Sequence, residues 1–249
     1  MTYAFGPSNA TVTYVLRAGS ARLDVEVEFD WQHDEHLLSM AFPLDVRADT
    51  AACDIQFGHV RRPTHPSNSW DAAKFEVCAH RYVDVSEPSF GVAVLNDGRY
   101  GHGIFDGRVR VSLARAARYP DPTADRGPQS ARLAVFPHGP GLADVVDEAE
   151  RFNMPLRVVG GSAPGRPPER LVDVIGNGVE IDAVKPADDD PAGLIVRFHE
   201  ALGDRAQVTV RCDRAIVAAS RCNLLEEPTT DLDLSDDLVT LTLRPFEIV

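Results

Sequence analysis

No apolar run in this 249-residue chain approaches the roughly 20 residues that a membrane-spanning helix needs. The opening Met1-Thr-Tyr-Ala-Phe-Gly-Pro7 has no basic stretch followed by an apolar core, so no secretory leader is read there and the cytoplasm is the expected compartment. Cysteine is sparse: Cys53, Cys78, Cys212 and Cys222 form no C-x-x-C pair, and most sit in apolar-alternating runs. Buried, reduced thiols are therefore expected in place of disulfides or zinc ligands. Positive charge is also short, with 25 Lys plus Arg against 38 Asp plus Glu and a formal net charge of −13. That balance repels phosphate backbones and anionic membrane surfaces, so neither nucleic acid nor membrane is expected as a partner. A Gly-rich phosphate loop, H-E-x-x-H and G-x-S-x-G are all missing, and no catalytic constellation is read from the residues themselves.

What is present is β patterning in an ordinary globular composition, 44% hydrophobic and 25% charged. Leu23, Val25, Val27 and Phe29 alternate with Asp24, Glu26 and Glu28, a period-2 strand with an acidic solvent face. Alternation recurs at 108–113, 208–211 and 239–243, with apolar runs at 37–46, 90–95 and 133–136 between them. Turn signals punctuate the runs at Asn96-Asp97-Gly98, Asp106-Gly107 and Pro120-Asp-Pro122. One helix is predicted, because Leu142, Val145, Val146, Ala149 and Phe152 share a face opposite Asp144, Asp147, Glu148 and Glu150, with Pro155 as its stop. The stretch Gly160-Gly-Ser-Ala-Pro-Gly-Arg-Pro-Pro168 suits neither helix nor central strand. The expectation is an all-β protein of antiparallel sandwiches: a first unit over 1–158, a linker over 159–168 and a smaller sandwich over 169–249.

Polar and aromatic residues concentrate between Gly58 and Glu87. The segment holds Arg61-Arg62, His65, Trp70-Asp71 and His80-Arg81-Tyr82, with His80-Arg81 placed by pattern inside a strand. Trp offers a face to sugar C–H groups while Arg, His and Asp bond hydroxyls, so this mixture suits a hydroxyl-rich ligand. Loop hydrogen bonds and ion pairs are the plain alternative for any single Arg or His, and an inward His on a sheet is ordinarily hydrogen-bonded structure. His33-Asp-Glu-His36 has metal-like spacing but reads as an acidic hairpin turn, with no further ligand cluster in sight. Asn96-Asp97-Gly98 is first a turn, and Tyr100 just behind it adds a polar group to the same rim.

The segment Arg62-Pro-Thr-His-Pro-Ser-Asn-Ser-Trp-Asp71, followed by Lys74-Phe-Glu-Val77 and His80-Arg-Tyr-Val-Asp-Val-Ser-Glu87, resembles the C-terminal β-rich region of family 38 glycoside hydrolases, the α-mannosidases. Their cytosolic-type members carry R-P-T-H-x-N-T-S-W-D…R-F-E-V…H-R-W-x-D-L-S-E. Further stretches resemble the family in the same order: Gly91-Val-Ala-Val-Leu-Asn-Asp-Gly-Arg-Tyr-Gly101, Val111-Ser-Leu-Ala-Arg115 through Pro122, Phe136-Pro-His138, Leu224-Leu-Glu-Glu227 and Leu243-Arg-Pro-Phe-Glu-Ile248. The chain departs at Ser67-Asn68 where the family has N-T, at Tyr82 where it has Trp, and at Ala117 where it has Pro.

The resemblance implies a mutarotase-like β-sandwich, N-terminally incomplete, followed by the small C-terminal sandwich. It implies a role as accessory region of a retaining, zinc-dependent α-mannosidase, walling a mannose-binding cleft. Zinc, nucleophile and acid would all belong to a catalytic domain absent from this chain. No catalytic or metal residue is assigned here, and the chain alone is expected to be inactive. The candidate sugar contacts are Arg62, His65, Trp70, Asp71, Asn96, Asp97, Tyr100 and Arg115. A sheet edge left open by absent strands would invite a homo-oligomer or a separately encoded catalytic partner. Two other classes remain: a free-standing carbohydrate-binding module, and a mutarotase-like aldose epimerase using a His such as His65 or His80 with a carboxylate.

Overall fold

The computed structural model describes residues 1–158, 160–161, 170–190 and 192–249. Apart from Gly160 and Gly161, the linker expected at 159–168 lies outside the described residues. Contacts divide the chain into Met1–Pro155 and Leu156–Val249. Each unit is taken by itself.

The first unit contains β1 (Thr2–Phe5), β2 (Ser8–Leu16), β3 (Leu23–Trp31), β4 (Leu38–Pro43), β5 (Thr50–Ile55), β6 (Gly58–Pro63), α1 (Ser69–Ala73), β7 (Val77–Cys78), β8 (Tyr82–Ser86), β9 (Gly91–Asn96), β10 (Gly101–Phe105), β11 (Arg108–Ala114), β12 (Gly127–His138) and α2 (Ala143–Asn153). An antiparallel eight-stranded sheet runs β1-β2-β3-β12-β9-β8-β5-β6, facing a four-stranded sheet β4-β11-β10-β7. Val25, Val27, Phe29, Val83, Val94 and Leu133 of the large sheet meet Phe42, Ile104, Val109, Val111 and Leu113 of the small one in a single apolar core. The 3.6-period face at 142–152 is α2, whose Val145, Val146, Ala149 and Phe152 are buried against β8, β9 and β12. Residues Gly91 to Asn96 therefore have cover on both faces and are all buried. That is why this stretch reads as an unbroken apolar run. Three arginines pin the helix. Arg22 and Arg132 lie 4.8 and 4.9 Å from the Phe152 ring centroid, and Arg81 reaches Glu150 at 3.0 Å.

Several expectations need correction. The turn at His33–His36 is not a hairpin, because β3 and β4 belong to different sheets and the segment crosses between them. Asp24 does not share a solvent face with Glu26 and Glu28. It is 7% exposed and held by Arg22 at 2.6 Å and Arg17 at 3.2 Å, which compensate its charge. His80 and Arg81 precede β8 instead of lying within a strand, since the chain bends there to lay the Arg81 guanidinium on buried Asp54 at 3.0 Å. Only Cys53 among the thiols is buried; Cys78 and Cys222 are exposed and Cys212 is intermediate. A second, five-residue helix, α1, was not anticipated.

Gly91 opens β9 against a tight polar contact. The His138 ring sits beside it, with Nε2 2.8 Å from Asp84 Oδ1 and Nδ1 2.7 Å from the Gly139 carbonyl. Ser86 donates to the other Asp84 oxygen at 2.7 Å. A methyl group built on Gly91 falls inside both the Ser86 hydroxyl and the His138 ring. Gly91→Ala is expected to cost about 2 kcal/mol, an overpacking loss read from the urea midpoint. An unchanged midpoint would mean that the ring moves aside freely.

The second unit contains β13 (Val172–Ile175), β14 (Val179–Pro186), β15 (Leu194–Glu200), β16 (Ala206–Cys212), β17 (Ser220–Cys222), β18 (Pro228–Asp231), β19 (Leu234–Ser235) and β20 (Leu238–Leu243). β13-β16-β20-β19 form one sheet, while β14-β15 and β17-β18 are two-stranded ribbons. Val208 and Val210 alternate inward with Val239, Leu241 and Leu243, and Val172 and Phe198 complete that core.

Candidate functional site

Arg62 lies on β6, the edge strand of the large sheet, opposite Ala51. Its side chain is half-buried, and Nε has no hydrogen-bond partner among the described residues. The guanidinium lies beside Cys53, whose thiol is pushed up to about 12 by burial while the Arg62 charge pulls weakly the other way. Past β6 the Thr64 hydroxyl donates to the Ala48 carbonyl at 2.5 Å, tying the strand end to the 44–49 crossover. His65 is exposed, its Nδ1 2.6 Å from the Ser67 hydroxyl.

Asn68 then nucleates α1. Its Oδ1 accepts from the Asp71 amide at 2.9 Å, and its Nδ2 donates to the Asp71 carboxylate at 2.8 Å. An asparagine N-cap is the reason that this polar stretch turns helical. Asp71 is thus engaged with the cap, while Trp70 is 79% exposed.

The turn after β9 is built differently. Asn96 is fully buried. Its Oδ1 accepts from the Arg99 amide at 2.8 Å and its Nδ2 donates to the His80 carbonyl at 2.5 Å. Its amide therefore closes the turn and faces no solvent. Asp97 pairs with Arg132 at 3.0 Å, both side chains nearly half exposed. The Tyr100 ring is 51% exposed and lies 5.0 Å from the His80 ring. Beneath it, buried His102 donates from Nδ1 to the Tyr100 carbonyl at 3.1 Å, and desolvation holds its pKa down near about 4. Arg115 is exposed; its backbone amide and that of Ala116 both donate to Asp125, whose pKa they lower. A relay of Arg99 to Gln129 at 3.2 Å and Gln129 to the Asp125 carbonyl at 2.5 Å connects Arg115 to the 96–100 turn.

The eight candidates do not converge on one point. Asn96, Asp97 and Tyr100 lie where β10 begins, and Arg115 follows the end of β11 on that same side. Arg62 and His65 flank Thr64, which with Phe105 and Gly107 lines a cleft at the opposite end of β10. Five residues of strand, about 17 Å, separate the two ends. The cleft has a volume of about 380 Å³ and lies between the 44–48 crossover and the β10–β11 turn. Sequence reasoning passed over it, because Leu44 and Val46 read as the end of an apolar strand and Asp106-Gly107 as a plain turn. Arg47, a charge placed directly after that apolar run, was the available signal.

Neither His65 nor His80 has a carboxylate partner among the described residues. The same residues contain no group of three or more His, Cys, Asp or Glu side chains able to hold a metal ion, so they do not fit a zinc site. No described helix is long and apolar enough to cross a membrane.

Two family models match the chain. "Glycosyl hydrolases family 38 C-terminal domain" matches residues 1–123, and "Glycosyl hydrolases family 38 C-terminal beta sandwich domain" matches 178–249. Human alpha-mannosidase 2C1 is 35% identical over 94% of this chain, which covers 23% of the human protein. An alpha-mannosidase of Saccharomyces cerevisiae is 31% identical over 96% of the chain and is covered to 24%. The chain thus spans about a quarter of the length of these relatives. A solved structure of a family 38 glycosyl hydrolase from Enterococcus faecalis superposes with a TM-score of 0.78 at 21% identity, covering 97% of this chain and 29% of that one.

Proposed function

The chain belongs to glycosyl hydrolase family 38, as part of its C-terminal β-rich region, and from that premise we propose that it acts as the accessory β region of an α-mannosidase. In this reading it walls a mannose-binding cleft and packs on a catalytic domain that carries the bond-breaking groups. The carrying observation is the 35% identity to human alpha-mannosidase 2C1 over 94% of the chain, combined with 23% coverage of that protein. Among the eight candidates, Trp70 supports the reading most directly. An indole 79% exposed beside Asp71 and close in sequence to Arg62 and His65 leaves an apolar face free for a sugar ring or a neighbouring domain. Zinc in this proposal supplies Lewis-acid chemistry in the catalytic domain, and this chain's own residues serve to hold and orient the sugar.

The test is hydrolysis of a chromogenic α-mannoside, with zinc added, by the pure chain and by the chain mixed with the separately produced N-terminal part of human alpha-mannosidase 2C1. No turnover by the chain alone and turnover by the mixture are expected. Trp70→Ala should reduce the latter about tenfold, the worth of one aromatic contact. Turnover by the chain alone would overturn the accessory role, and so would a mixture that neither associates nor turns over.

A further inference from the structure

We propose that the cleft between the 44–48 crossover and the β10–β11 turn is a separate saccharide-binding site, taking one or two neutral sugar rings. Its volume of about 380 Å³ falls within the roughly 300–1,000 Å³ of small-ligand pockets. The depth is apolar, formed by Val85 and Ile104, both under 9% exposed. The rim is charged with both signs: Arg47 and Arg108 on one hand, Asp45 and Glu87 on the other. Neither guanidinium reaches a carboxylate among the described residues, although the chain carries 13 more acidic than basic side chains. A rim with two charges of each sign favours a ligand that both donates and accepts, without net charge. Vicinal hydroxyls on a sugar ring have that chemistry, since each accepts from an arginine and donates to a carboxylate. Half-exposed Phe105 supplies the flat apolar face on which ring C–H groups rest.

The cleft is also preformed. Leu44 donates to the Gly107 carbonyl at 2.8 Å, fixing the two walls to each other. The Arg47 amide donates to Glu87 at 2.9 Å, and Thr64 fastens Ala48 at 2.5 Å. Walls whose main chain is fixed by hydrogen bonds lose little entropy when a ligand enters. The Arg47 and Arg108 guanidiniums project from these fixed supports, and Glu87 keeps its second carboxylate oxygen for a ligand. The site stands on this geometry. The family reading only selects mannosides as probes.

The deciding experiment is a titration of the full ¹⁵N-labelled chain with methyl α-mannoside and α-mannobiose, followed by amide chemical shifts. Shifts concentrated at 44–48, 64, 87 and 104–108, with a Kd of about 1–10 mM, are expected. Arg108→Ala should weaken binding about fivefold, one guanidinium-to-hydroxyl contact. Arg47→Ala is the second variant, and the dispersed spectrum of each shows that it is folded. Shifts confined to 65–71 would overturn the cleft while leaving the accessory role intact. No shifts up to about 50 mM sugar, or wild-type affinity in both folded variants, would also overturn it.

Discussion

Glu200→Ala is expected to cost the second unit about 4 kcal/mol, a large share of the roughly 5–15 kcal/mol that holds a domain folded. Glu200 is 1% exposed, at the end of β15. Its carboxylate accepts four backbone N–H groups: Leu202 at 2.7 Å on Oε1, then Gly203 at 2.8 Å, Asp204 at 3.1 Å and Phe246 at 3.0 Å on Oε2. Those donors compensate a charge that would otherwise be prohibitive to bury. They also fasten the β15–β16 turn to the C-terminal segment. Removing the carboxylate strands several buried donors at once, and each unsatisfied group costs about 1–3 kcal/mol. Gly203 makes the arrangement less forgiving. Its φ is +77°, and a Cβ there would lie 2.7 Å from the Phe246 ring, so the turn admits no side chain at this position without displacing that ring. Urea denaturation followed by circular dichroism and by the amide signals of 194–212 measures the loss. Glu200→Gln should fall between wild type and Ala, since the amide oxygen retains part of the acceptor set. A loss under about 1 kcal/mol in Glu200→Ala would mean that water replaces the carboxylate.

The first unit should be most stable near neutral pH, with one buried histidine contributing to the decline on each side. His102 is fully buried, and desolvation lowers its pKa to about 4 against the opposing Tyr100 carbonyl. An unfolded histidine binds its proton near pH 6.5, so between pH 6.5 and 4 the unfolded chain holds a proton that the folded chain refuses. Stability therefore falls with pH across that window, by about 3 kcal/mol at its end. His138 has the opposite sign. Burial disfavours its charge, but the Asp84 hydrogen bond and charge, with the Gly139 carbonyl, outweigh this and raise its pKa. Both ring nitrogens face acceptors, so the ring is bound as the cation. Its contribution is complete below pH 6.5 and is lost as pH rises through the folded-state value. Trp31 and Trp70 both lie in the first unit, so tryptophan fluorescence reports its urea midpoint directly. In His102→Gln the decline between pH 6.5 and 5 should flatten, and in His138→Gln the alkaline decline should flatten. Profiles that run parallel to wild type in both variants would sink this assignment, whatever the absolute stability.

Much of the fold was legible as periodicity. The alternation at Leu23–Phe29 and Val239–Leu243 became β3 and β20, and the 3.6-residue stripe through Val145 and Phe152 became α2. These patterns are local consequences of burying one face of a strand or helix. The errors fell where polar side chains pair in ways that leave no apolar period. Asp24 looked solvated because its partner Arg22 leaves no periodic trace, and His80-Arg81 looked like strand because Asp54 is 27 positions away. The helix α1 turns on one Asn68 cap in a stretch without apolar periodicity. The ordered motifs from Arg62 to Ile248 were enough to name the family by resemblance, and matched family models now stand beside them.

The candidate site divides along the same line. Residue type and order nominated Arg62, His65, Trp70, Asp71, Asn96, Asp97, Tyr100 and Arg115, and chemistry alone made each a reasonable sugar contact. Only the tertiary structure decided that Asn96 closes a turn from within, that Trp70 stands in solvent, and that Asn96, Asp97, Tyr100 and Arg115 sit at one end of β10 while Arg62 and His65 flank the cleft at the other. It alone brought Arg47 and Arg108, 61 positions apart, to one cleft. Secondary structure follows from neighbours within a few residues and is written into the chain. Which polar groups meet depends on strand register and on how the two sheets stack, and those are settled only when the whole core packs.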